Sequence, residues 1–201
     1  RYLIIAALGS KPVTMIGLLR SRDTDLMMGA IEALGVRCDV DSATDTTVTV
    51  TPPVSGRFHG NVNVFCGLAG PVNFDGDEQA YARPMKPVLD GLEQLGATVD
   101  YHGEVGRLPF TITPPATLPS AQAQVSIDSS GSSQFISGLL LISSKLPSGL
   151  HLAHTGEKTP SLPHIRMTVA DVTGAGGAVE ADESARTWTV EPRAMQLPSK
   201  V

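Results

Sequence analysis

The sequence predicts an α/β domain made of three copies of one helix–strand–helix–strand–strand unit, packed with pseudo-threefold symmetry around buried helices. Three observations carry this prediction. An amphipathic helix running into a glycine occurs three times, ending at Gly35, Gly96 and Gly176. Each is followed by two short strands, the second alternating apolar with polar residues and stopping near Pro52, Pro114 or Pro192. The stretch 132–143 is apolar nearly all round, as only a buried helix can be.

The first copy begins with a helix over 1–8, then a strand over Val13-Thr14-Met15-Ile16. Gly9-Ser10-Lys11 between them lacks the spaced glycines of a phosphate loop and reads as a turn. A marker helix starts at Asp23, presents Met27, Ala30, Ile31 and Leu34 on one face, and ends at Gly35, where a left-handed cap is expected. The strands Cys38–Val40 and Thr47–Thr51 close the unit. In the second copy the helix that should precede strand Val72-Asn73-Phe74 is absent: Gly67-Leu68-Ala69-Gly70 runs straight into Pro71. The marker helix opens at Arg83-Pro84 and shows Met85, Val88, Leu89, Leu92 and Leu95 on one face. Strands at Val99–Tyr101 and Phe110–Thr113 follow. The third copy has the buried helix, a strand over Leu150–Ala153, a marker helix opening at Ser161, and strands at Val179–Ala181 and Thr187–Val190. With a strand leading in where the chain is complete, the repeats are βαβαββ units at about 1–53, 61–115 and 124–192. One such unit cannot bury its own apolar face, so the three must pack together.

Composition narrows the function. A hydrophobic content of 41% with 17% charge is that of a globular domain, and 4% aromatics leaves the core to aliphatic residues. A net charge of -5 argues against a nucleic-acid partner. No apolar run approaches the roughly 20 residues that span a bilayer. The apolar run after Arg1 has no small-residue cleavage site behind it, and the chain opens without Met, as a truncated one would. Cys38 and Cys66 fit neither a metal spacing nor a disulfide framework, and two reduced cysteines suit a cytoplasmic protein. The five histidines show no metal spacing.

Candidate site residues stand at helix starts. Ser129-Ser130-Gly131-Ser132-Ser133-Gln134 lies at the mouth of the buried helix, where serines can cap and free N–H groups can hold an anion. Gln134 tilts the reading toward a ligand, because a long polar side chain on an otherwise buried helix needs a partner. Arg83 can fork onto a carboxylate or phosphate, or simply sit in solvent. Ser161 and His164 open the third marker helix in the same manner, with a structural role open for His164. Should the packing bring these starts to one end, their dipoles would favour a polyanionic ligand.

In order and spacing, Gly67-Leu68-Ala69-Gly70, Asp75-Gly76-Asp77-Glu78-Gln79, Arg83-Pro84-Met85, Ser132-Ser133-Gln134-Phe135 and Ser161-Leu162-Pro163-His164 resemble the EPSP synthase family (5-enolpyruvylshikimate-3-phosphate synthase). So do Arg1 through Leu8 and Leu19-Arg20-Ser21-Arg22-Asp23-Thr24, and the match covers essentially the whole chain. The resemblance implies transfer of the enolpyruvyl group of phosphoenolpyruvate to the 5-hydroxyl of shikimate 3-phosphate, without metal or organic cofactor. It implies two domains of three repeats each, of which residues 1–201 are the shikimate-3-phosphate-binding one. It implies that Arg1, Ser132, Ser133, Gln134, Ser161 and His164 hold shikimate 3-phosphate, and that Gly70, Arg83 and Gln134 contact phosphoenolpyruvate. His164 stands where many relatives carry tyrosine.

Three departures from the pattern stand out. The family's Gly-Ser-Lys motif belongs just before Arg1, the Thr-x-x-Arg helix expected after Gly70 is missing, and so is the second domain with its acidic proton-transfer residue. The chain by itself is therefore expected to bind substrate without turnover. Two other readings have the same repeats. A UDP-N-acetylglucosamine enolpyruvyl transferase would carry a reactive cysteine in the loop before its Arg-Pro helix, and Gly76–Ala82 has none. A non-catalytic phosphometabolite-binding module would keep the pocket and lack the second set of repeats.

Overall fold

Amphipathic spacing and turn chemistry produce ten strands, six α-helices and one 3-10 turn (Ser143–Lys145) among the described residues, which in this computed structural model are 1–54, 70–158 and 161–201. The first copy holds α1 (Tyr2–Leu8), β1 (Val13–Met15), α2 (Arg22–Ala33), β2 (Arg37–Val40) and β3 (Val48–Thr51). The second holds β4 (Val72–Phe74), the short α3 (Glu78–Tyr81), α4 (Lys86–Gln94), β5 (Thr98–Tyr101) and β6 (Phe110–Thr113). The third holds β7 (Ala123–Ile127), α5 (Ser133–Ile142), β8 (Leu150–His154), α6 (Leu162–Gly174), β9 (Val179–Asp182) and β10 (Thr187–Val190).

The three copies share one topology. Each makes its own sheet with the closing strand in the centre: β1-β3-β2, β4-β6-β5, and β8-β10-β9 extended by β7. The pairs within each unit are antiparallel, and β7 joins β8 in parallel. The chain's end supplies the like strand to the first copy: Lys200 bridges Thr14 in parallel, and the Thr14 N–H donates to the Ser199 carbonyl at 2.9 Å. Alternation places Val48 and Val50, or Trp188 and Val190, on the buried face. Gly35, Gly96 and Gly176 end the marker helices at φ of 89°, 94° and 95°, the left-handed caps that the sequence predicts.

Inside the sheets lie α1 and α5. Seven of the ten residues of α5 are buried, including Ile136, Leu139 and Leu140 at 0% exposure. It packs on α6, α4 and α1, so it ties all three copies together. Gly91 of α4 permits its close approach, since a Cβ there would meet Leu139 Cδ1 at 3.0 Å. The Gly9–Lys11 turn is structural, as expected: the backbone N–H groups of Ser10 and Lys11 donate to Gln196 Oε1 at 2.9 and 3.0 Å.

Two local expectations are corrected. The buried face of α2 is Met28, Ile31 and Leu34, not Met27 and Ala30, which are exposed. The face is turned by one residue because Met27 points to a cavity beside Arg1 instead of the core. Arg83-Pro84 does not open α4. Arg83 lies in the turn after α3, its N–H bonded to the Ala80 carbonyl, and the proline in the first turn of α4 is Pro87. The sequence reading passed over α3, one turn capped by the Asp77 carboxylate accepting from the Ala80 N–H.

Leu140→Ala is expected to cost about 2–5 kcal/mol, read as a lower urea midpoint, because Leu140 is fully buried in the core. Cys38, half-buried on β2, has its thiol pushed up to about 11, first by burial and then by Glu32 and Asp39. Its alkylation, followed by peptide mapping, should be slow at neutral pH and rise by roughly tenfold per pH unit well past the usual thiol value. A rate that levels off near 8.5 would contradict this burial.

Candidate functional site

A short turn delivers the start of α5 to the surface. The Asp128 carboxylate accepts the Ser130 N–H at 2.9 Å and is held below the usual carboxylate range, first by the Ser130 hydroxyl and then by that N–H. Ser129 is fully buried, with its N–H and hydroxyl 3.1 and 2.9 Å from Nδ1 of His154. A backbone N–H can only donate, so Nδ1 is the acceptor, and Nε2 donates to the Lys158 carbonyl at 2.9 Å. A buried, neutral histidine thus anchors the turn. Gly156 closes over it, and a Cβ there would overlap the Asp128 carboxylate and the Ser130 hydroxyl.

Beyond the turn, the serines divide their roles. Ser132 caps α5, its hydroxyl accepting the Gln134 N–H at 3.1 Å. Ser133 is buried in the first turn. Gln134 is exposed, so no burial penalty attaches to it, contrary to the argument from an apolar helix; it faces open cavities on both sides. Ser161 starts α6 but makes no side-chain cap, and Pro163 in the first turn has no N–H to satisfy.

The two helix starts meet. A cavity of about 340 Å3 is lined by Ser130 through Gln134 from α5 and by Ser161 and His164 from α6. A second, of about 380 Å3, shares Ser133, Gln134 and His164 and extends to Arg1, Met27 and Leu141. The Arg1 guanidinium is fixed from below: Nε donates to Thr168 Oγ1 at 2.8 Å, a second nitrogen donates to the His164 carbonyl at 3.1 Å, and Asp171 lies 3.8 Å away. Thr168, fully buried, donates in turn to Ser137 Oγ on α5 at 2.9 Å. The arrangement presents helix-start dipoles, hydroxyls, an amide and one oriented cation to the same space, which suits a small anion-bearing, hydroxyl-rich molecule.

The structure therefore gathers Arg1, Ser132, Ser133, Gln134, Ser161 and His164 at adjoining cavities. Gly70 and Arg83 do not line them: Gly70 is half-buried ahead of β4, and Arg83 is exposed in its turn. Sequence reasoning missed Ser137, Thr168 and Asp171. A signal existed, since Ser133 and Ser137, and likewise His164, Thr168 and Asp171, recur at helical spacing on faces that are otherwise apolar. Among the described residues no cluster of His, Cys, Asp or Glu could hold a metal ion, and no helix is long and apolar enough to cross a membrane. Cys66 lies outside the described residues.

A family model described as EPSP synthase (3-phosphoshikimate 1-carboxyvinyltransferase) matches residues 1–201. A 3-phosphoshikimate 1-carboxyvinyltransferase of Bifidobacterium longum (strain DJO10A) is 90% identical over 216 residues, covering 100% of this chain and 48% of the relative. One from Mycobacterium ulcerans (strain Agy99) is 43% identical, covering 98% and 47%. The chain thus spans about half the length of the curated relatives it matches. The solved EPSP synthase of Acinetobacter baumannii superposes with a TM-score of 0.75 at 17% identity, over 98% of this chain and 45% of that one, which shows the fold.

Gly156→Ala should displace the 128–131 turn while leaving the sheets intact. Amide shifts confined to residues 128–134, with unchanged β8 and β10 signals, are the expected readout. Unmoved amides in that turn would mean that Gly156 does not govern it.

Proposed function

The chain belongs to the EPSP synthase family, and from that premise we propose that it is one domain of a two-domain enzyme and that its own task is to hold shikimate 3-phosphate. The complete enzyme transfers the enolpyruvyl group of phosphoenolpyruvate to the 5-hydroxyl of shikimate 3-phosphate. Addition of the hydroxyl oxygen to the enol carbon, with a proton to the methylene, gives a tetrahedral intermediate. Loss of phosphate and of that methyl proton restores the double bond, so neither metal nor organic cofactor is needed. Half-length coverage of its relatives supports a partner domain in the same polypeptide, and a role in the shikimate pathway suits a cytoplasmic protein.

The observation that carries the reading is the meeting of two helix starts and an oriented guanidinium at one place. Ser132, Ser133 and Ser161 supply hydroxyls and backbone N–H groups to the 3-phosphate, and Arg1 pairs with the shikimate carboxylate. Gln134 reaches both substrates from between the two cavities. His164 borders the shikimate side. Gly70 and Arg83 contact phosphoenolpyruvate once the partner domain closes over it.

Calorimetry on the folded chain should detect shikimate 3-phosphate and a weaker response to shikimate. Ser133→Ala and Arg1→Ala should each weaken binding by about tenfold or more, the worth of a hydrogen bond to a charged group. No turnover is expected from this chain alone. Absence of heat in a folded sample would sink the substrate reading, and turnover without a second domain would sink the two-domain one.

A further inference from the structure

The two helix starts meet because the strands that feed them end side by side. β7 and β8 run parallel, with Ile127 opposite His154 at their last residues, and α5 follows the first as α6 follows the second. The segments leaving the two strands stay in contact. The Thr155 N–H donates to the Ile127 carbonyl at 3.0 Å, and Gly156 lies against Asp128 and Ser130.

One side chain is bonded to both segments. His154 is 5% exposed. Its Nδ1 accepts the N–H of Ser129, a fully buried residue, and its Nε2 donates to the Lys158 carbonyl. Ser129 comes directly before the residues that line the smaller cavity from the mouth of α5, and Lys158 comes three residues before Ser161, which lines it from α6. A neutral imidazole suits this place, because it accepts at one nitrogen while donating at the other. Deleting the ring leaves a buried N–H with no acceptor, and the turn must shift to hydrate it. His154 itself lines neither cavity, so it acts through these two segments and not on a ligand directly. The far end of the binding space is held by other groups. Arg1 is fixed by Thr168 and the His164 carbonyl, through hydrogen bonds that do not involve His154.

Resting on the substrate reading above, we propose that His154 is the positioning residue that sets the preference for a phosphorylated over an unphosphorylated ligand. By tying the mouth of α5 to the mouth of α6 it fixes the spacing of Ser132 and Ser133 from Ser161, and with it the fit of the phosphate. The carboxylate end at Arg1 is indifferent to it.

The test measures the affinity of the folded 201-residue chain for shikimate 3-phosphate and for shikimate, by calorimetry or amide shifts. His154→Ala should weaken shikimate 3-phosphate by about tenfold and shikimate by less than about twofold, so that the ratio narrows. His154→Asn sets a carbonyl oxygen near the Nδ1 position and should recover most of the loss. His151→Ala, on the same strand but bonded to Thr189, should change neither affinity. A histidine that only supports the fold would lower both affinities together, and that result overturns the proposal. So does an asparagine variant no better than alanine. Should the variants fail to fold, the ring nitrogens of the unaltered chain decide. Their NMR signals must move on adding shikimate 3-phosphate and stay in place with shikimate; signals that ignore both ligands, or follow both alike, overturn it. Failure of the unaltered chain to bind shikimate 3-phosphate sinks the substrate reading and this proposal together, whereas binding that the His154 variants leave unchanged sinks this proposal alone.

Discussion

Burial of α5 is the constraint on which the other elements depend. A three-stranded sheet with one helix on its flank has apolar surface that it cannot cover by itself. The helix lies where the three copies meet, and it packs on α1, α4 and α6. Burial of this kind, at about 25 cal/mol per Å2 of apolar surface, is the main favourable contribution to folding. It also has a geometric effect. Because Ile136, Leu139 and Leu140 are locked in place, the first turn of the same helix is locked too. That turn holds Ser133 and Gln134 at the cavities. Core packing and site geometry are therefore two ends of one helix.

Repetition made most of this fold legible. A single amphipathic helix is weak evidence, but three ending in glycine and followed by an alternating strand set a topology. The cap angles at Gly35, Gly96 and Gly176 agree within a few degrees. Less was legible where tertiary contacts override local pattern. The phase of α2 could not be read from spacing, because Met27 and Met28 are chemically alike and only the cavity beside Arg1 separates them. Arg83-Pro84 looked like a helix start, but Asp77 caps a separate turn first and Pro87 takes the first turn of α4. Gln134 was singled out for a physical reason that fails, since the residue is exposed, although its position at both cavities stands.

The site's electrostatics are local. A net charge of -5 gives no general attraction for an anion. Two helix starts and one guanidinium provide it within a few ångströms, where the field of a helix end is strongest. The guanidinium is useful because it is aimed. Thr168 and the His164 carbonyl take its donors on the protein side, and Asp171 stands near enough to orient it without a close ion pair. Ser137 continues the line back to α5, so α1, α5 and α6 are joined beneath the cavity by hydrogen bonds as well as by apolar contact. Three polar residues buried or half-buried in helix faces would be costly unpaired, and here they satisfy one another.

Gly138 connects the site with the core of the second copy. It lines both the cavity that holds Arg1 and an apolar cleft bordered by Phe74 and Phe110, and it lies four residues after Gln134, one turn along the same helix. Packed interiors transmit such contacts because side chains have little room to give. Among the described residues α5 is held by α6, α4 and α1. The packing of Leu139 and Ile142 in the core of the second copy is therefore also a support for the turn that holds Ser133 and Gln134.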